Sequence, residues 1–191
     1  LELWVDTSRD GWSGFAVLRD PSSSPKPVVL RWDTNRPGVF TVGSWVLHLG
    51  VAGTPGSNGG FEGRVELTVN RGRDSGTVTA SLGADGGVSP VGASGDRDPL
   101  VGAFFQSEEA RVLASGVGQM RASSHATGSE GMKVSALFSF RHCLGDYILI
   151  TSLIGAAIET CSSGMTWGCW AALVAIGQAE NQIIDECNCC F

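Results

Sequence analysis

Six cysteines, Cys143, Cys161, Cys169, Cys187, Cys189 and Cys190, all fall within the last fifty residues of this 191-residue chain. Three chemistries are open to such a set: disulfide bonding, binding of a soft metal through thiolates, and redox exchange. An even count in one compact segment, without C-x-x-C pairs at zinc-finger distance, favours disulfides and an oxidising compartment. The metal alternative would gather His142, Cys143, Cys187, Cys189 and Cys190 around zinc or copper(I). Against it, residues 142–191 contain no Lys or Arg to stabilise thiolates, and C-x-C-C is not a regular structural-zinc spacing. No metal and no cofactor is expected.

Elsewhere the chain offers no catalytic set. Ser123-Ser124-His125 joins a hydroxyl to a histidine in sequence, but a triad is defined by spatial geometry. There is no phosphate loop and no H-E-x-x-H. The run Gly116-Val-Gly118-Gln-Met-Arg121 lacks the last glycine of a dinucleotide fingerprint. Asp85, Asp96 and Asp98 carry oxygens suited to calcium, without the ordered alternation of an EF-hand loop. The expectation is a protein that is not an enzyme.

The elements that must position the cysteines are two helices. From Leu144 to Thr160 apolar residues cover most of a helical wheel, leaving a narrow stripe of Gly145, Asp146, Thr151, Ser152 and Glu159. A second helix is expected from Thr166 to Cys187, with Gln178, Asn181, Gln182, Asp185 and Glu186 outward and a turn at Gly164. Joined so closely, the two pack as an antiparallel hairpin. Cys161 and Cys169 then meet at the turn, and Cys143 meets one of Cys187, Cys189 or Cys190 at the open end.

Residues 1–141 form the other expected domain, rich in β-structure, with one short helix near 107–115. Strands are expected at Leu1–Val5, Phe15–Arg19, Val28–Trp32, Phe40–Leu49 and Leu100–Phe105. The clearest hairpin sets Val65, Leu67 and Val69 against Val78, Ala80 and Leu82 across Arg71–Gly76. Gly83–Pro99 reads as a glycine-rich connection. Ser107 before Glu108 and Glu109 reads as a helix N-cap, with Gly116 as the stop. Met132–Phe140 alternates again and reads as a returning strand. The expected fold is α+β: an antiparallel β-sandwich or barrel followed by the disulfide-stapled hairpin.

Charge limits the partners. The net charge of −6 comprises 13 basic and 14 acidic residues before position 142 and five acids after it. With no basic tract, nucleic acid is excluded as a partner. Neither apolar run of the tail reaches the twenty or so residues of a membrane span. An acidic hairpin also lacks the usual attraction to anionic lipid. Trp4, Trp12, Trp32, Trp45, Trp167 and Trp170 are candidate partner-binding aromatics as well as candidate core. The hairpin either docks on the sheet or meets a target-cell membrane, a membrane protein or another partner; self-association through the β-domain is the other option. The chain opens on Leu1 rather than Met, as a precursor trimmed of its targeting segment would, so a secreted or cell-surface protein is expected.

The stretch Cys161-Ser-Ser-Gly-Met-Thr-Trp-Gly-Cys169 and the closing Cys187-Asn-Cys-Cys190 resemble the C-terminal part of halocin C8-type bacteriocin precursors. In these, a larger N-terminal region precedes a compact, cysteine-rich, largely apolar and acidic peptide. The resemblance implies a secreted antimicrobial peptide released from a carrier or self-protecting N-terminal region. An extracellular structural or adhesive protein that self-assembles through its β-domain is the alternative.

Overall fold

The computed structural model describes the backbone of residues 2–8, 11–18, 27–33, 36–55, 61–83, 85, 87–91, 98–115, 133–135 and 141–188. Side chains within 2–18, 133–135, 141–148 and 182–188, and those of 33, 55 and 61, lie outside that description. So do Ser123-Ser124-His125, the Gly116–Arg121 run, Asp96, Cys189 and Cys190.

Eight strands follow one another as an antiparallel meander: β1 Glu2–Ser8, β2 Gly11–Leu18, β3 Val28–Asp33, β4 Val39–Val42, β5 Trp45–Pro55, β6 Phe61–Arg71, β7 Asp74–Leu82 and β8 Val88–Pro90. A ninth, β9 Lys133–Ser135, joins β1 in parallel, so β8 and β9 form the two edges. The α+β layout is as expected. The sheet, however, is open and single, not a barrel or a stacked pair of sheets.

The reason lies in what covers it. Leu30, Val42, Leu47, Leu67 and Val78 point to one face and are buried, as the period of two requires. The opposite face carries His48, Arg64, Glu66, Thr68, Thr77 and Ser81, none of them fully buried. There the hydroxyls of Thr68 and Thr77 lie 2.8 Å apart on neighbouring strands. One polar face and one apolar face call for a single apolar cover, and helices provide it.

Further expectations need correction. The stretch expected as one strand, Phe40–Leu49, is two, β4 and β5, joined at Gly43-Ser44. Buried residues switch there from even numbers (Phe40, Val42) to odd (Trp45, Leu47, Leu49), a break in phase that the turn between the paired strands produces. Leu100–Phe105 is no strand either. It belongs to helix α1, Pro99–Phe105, whose N-cap Asp98 accepts hydrogen bonds from the backbone N–H of Leu100 at 2.8 Å and of Val101 at 3.3 Å. A capping carboxylate followed by proline at the first helical position outweighs local strand propensity.

Helix α2, residues 108–115, begins as expected: Ser107 Oγ accepts from Ala110 N–H at 3.1 Å. The region thus holds two short helices where one was expected. Gly83–Pro99 contains β8, which pairs with β7 through Val88 and Leu82. Its Asp85 turns inward on its own loop, accepting from Gly87 N–H at 2.9 Å.

The C-terminal pair is α3, Arg141–Cys161, and α4, Trp167–Asn188. They pack against each other, and α4 also packs on β5 and β6. One continuous core runs from the sheet through Phe104 and Phe105 of α1 to Ile154, Ile158, Leu173 and Ile176 of the hairpin.

Candidate functional site

The hairpin turn is built from the sequence outward. Gly164, at φ 119°, ends α3 with its N–H bonded to the Cys161 carbonyl at 2.9 Å. Thr166 caps α4, its hydroxyl accepting from Cys169 N–H at 3.4 Å. Between these caps Cys161 and Cys169 form a disulfide with Cα atoms 4.7 Å apart. Met165 Sδ lies 3.5 Å from Cys169 Sγ. Both cysteines are buried, so the bridge is shielded from reductants. Closing so short a loop stabilises the turn by roughly 2–3 kcal/mol in the chain-entropy account.

The seam with the sheet is the candidate functional surface, because it is where the hairpin packs on the rest of the chain. Leu173, Ile176, Gly177 and Glu180 stand at helical spacings of three, four and seven, which puts them on one face of α4. Gly177 lies against β5 so closely that a Cβ there would sit 2.6 Å from Val51 Cγ2. Glu180, on the same face, is buried, and its Oε2 accepts from Gly38 N–H at 2.7 Å. Gly38 adopts φ 77°, and a side chain there would run into the Leu49 carbonyl. Leu49 N–H in turn donates to Gly38 O at 2.7 Å, which ties Gly38 to β5 beneath the carboxylate.

The rest of the seam is apolar. A cavity of about 30 Å³ lies where sheet, α1 and hairpin meet, lined by side chains including Phe40, Leu47, Phe104, Ile154 and Leu173. A space of this size cannot hold an organic ligand. Among the described residues the seam joins two parts of the chain through apolar packing and the Glu180–Gly38 contact.

That contact contains a titratable group. Burial raises the Glu180 carboxyl above its ordinary value of 4.5, and the Gly38 N–H opposes the rise without cancelling it. Among the described residues no basic side chain forms an ion pair with it. Between the ordinary and the raised value, the docked form binds more protons than the unfolded chain. Stability therefore falls as pH rises through that window and is greatest on its acid side. Glu180→Gln keeps an acceptor for Gly38 and removes the charge, so it should flatten this pH dependence. Urea midpoints across pH 4–8 check it; parallel curves for the two proteins would mean the carboxyl does not titrate in the seam.

The remaining residues singled out in the sequence are spread through the fold. Trp32, Trp45 and Trp170 are buried, while Trp167, beside the turn, is 61% exposed. Arg71 lies over the Trp45 ring at 4.6 Å. Trp4 is in β1 and Trp12 in β2, with side chains outside the described residues. Cys143 lies in the first turn of α3 and Cys187 in the last of α4. Sequence reasoning missed Gly38, Gly177 and Glu180. For Glu180 a signal existed: it falls four residues after Ile176 and seven after Leu173, on the apolar stripe and not among the outward polar residues.

Among the described residues no helix is long and apolar enough to cross a membrane, and no cluster of side chains could hold a metal. No family model, curated protein or solved structure matches the chain.

Proposed function

We propose that the chain is a secreted, non-enzymatic, bacteriocin-like precursor whose active part is the disulfide-stapled hairpin, held on the sheet until release. The observation that carries this reading is the character of the seam. Apolar packing is non-directional, so a hairpin held by it can exchange the sheet for another apolar surface, such as a target-cell membrane or membrane protein. The buried disulfide supports an oxidising, extracellular setting.

The sequence also provides a way out. Residues 142–191 contain no Lys or Arg, so a protease of tryptic specificity cuts after Arg141 and nowhere beyond it. Trypsin treatment of the full chain should yield the hairpin as one piece. The digest is expected to permeabilise dye-loaded liposomes or kill related cells, while the uncut protein does neither. No leakage and no killing by the digest would end this reading.

The rival, an adhesive protein assembling through its β-domain, draws less support. The edge strands β8 and β9 are three residues each, and β8 ends in proline; short, proline-bearing edges are poor templates for strand addition.

A further inference from the structure

The Cys161–Cys169 bridge does more than close the turn: it fixes the register of α3 against α4. Cys143 lies 18 residues before Cys161 in α3, and Cys187 lies 18 residues after Cys169 in α4. At about 3.6 residues per turn, 18 residues make five full turns. Each of the two therefore stands on the same face of its helix as the bridged cysteine, and equally far from the bridge. Because the helices run antiparallel and pack together, equal distances bring Cys143 and Cys187 to the same level at the open end. Packed helix axes lie about 8–10 Å apart, and Cα atoms lie about 2.3 Å from each axis, leaving roughly 3.5–5.5 Å between facing Cα atoms. That range overlaps the roughly 4.4–6.8 Å a disulfide spans. The side chains of Cys143 and Cys187 lie outside the described residues, so this placement is one of backbone position alone.

We infer that Cys143 and Cys187 form a second disulfide, closing the hairpin into a ring stapled at both ends. The two thiols lose two protons and two electrons to the disulfide form of an extracytoplasmic thiol oxidant, which is reduced to its dithiol, and one S–S bond forms. Cys189 and Cys190 lie outside the described residues, beyond the end of α4 at Asn188, so the five-turn count singles out Cys187 and does not extend to them. The ring keeps α3 paired with α4 after the sheet is lost, because both ends of the pair are covalent. This holds whether or not the hairpin is antimicrobial.

Disulfide mapping of the oxidised full-length protein tests it. After alkylation without reduction, a glutamate-specific protease cuts at Glu159, Glu180 and Glu186, which separates Cys143, the Cys161–Cys169 pair and the 187–191 segment. The fragment holding Cys143 should appear joined to 187–191, with fragmentation placing the link at Cys187. A Cys189→Ser/Cys190→Ser variant should keep the joined species, and Cys187→Ser should lose it. Cys143 found alkylated, joined to Cys189 or Cys190, or joined to a second chain overturns the inference. Mapping the unmodified protein gives this answer even if a variant fails to fold.

Discussion

Gly38→Ala is expected to destabilise the protein by about 3–5 kcal/mol, although it adds a single methyl group. Holding a non-glycine residue in the left-handed region costs about 1–2 kcal/mol. The methyl also meets the Leu49 carbonyl, which cannot withdraw easily because Leu49 N–H donates back to Gly38 O. Any shift of the turn lengthens the Gly38 N–H bond to Glu180, and leaving such a buried donor unsatisfied costs about 1–3 kcal/mol. Urea unfolding at neutral pH measures the total. A companion Glu180→Gln/Gly38→Ala variant should lose less than the sum of the two single changes, since they act on one contact. A loss below about 1 kcal/mol for Gly38→Ala would mean the turn does not anchor the hairpin.

Trp170→Ala should cost a similar amount, about 3–5 kcal/mol, for a different reason. Trp170 is fully buried in the core that hairpin and sheet share, and its removal leaves a void that rigid neighbours fill only in part. Trp170→Phe should cost much less. The indole N–H has no hydrogen-bond acceptor among the described residues, and such a donor is costly to bury by about 1–3 kcal/mol. Phenylalanine gives up some packing but removes that penalty. Thermal or urea unfolding of both variants decides it. Equal losses would show that the indole N–H is satisfied in solution and that size alone does not govern the site.

Elements with a strong period and a cap were legible in the sequence. Val65, Leu67 and Val69 facing Val78, Ala80 and Leu82 form β6 and β7, because alternation over that length has no other structural meaning. The helices of the tail, the Ser107 cap and the Cys161–Cys169 bridge were legible for the same kind of reason: each is local in sequence. What failed was either a capping signal set against strand propensity, as at Asp98-Pro99, or a phase break that was read through, as at Gly43-Ser44.

The seam itself was not legible, because its defining contact joins residues 142 positions apart. Gly38 reads in sequence as one more turn glycine after Pro37. Only the arrival of α4 gives its N–H a carboxylate to meet. The spacing of Glu180 from Leu173 and Ile176 shows that an acid lies on the apolar stripe, but not what it bonds to. That depends on which surface the stripe covers, a tertiary choice that periodicity does not encode.

The small cavity between sheet and hairpin has a mechanical consequence. Its volume is about 30 Å³, and the volume decrease on unfolding scales with such internal space. Parting the seam eliminates that space, a contribution that favours the smaller volume of the separated arrangement. Compression therefore acts on this joint in a way it does not act on the hydrogen-bonded strands of β5, β6 and β7. Hydrostatic pressure is expected to favour parting of the seam over disruption of the strands.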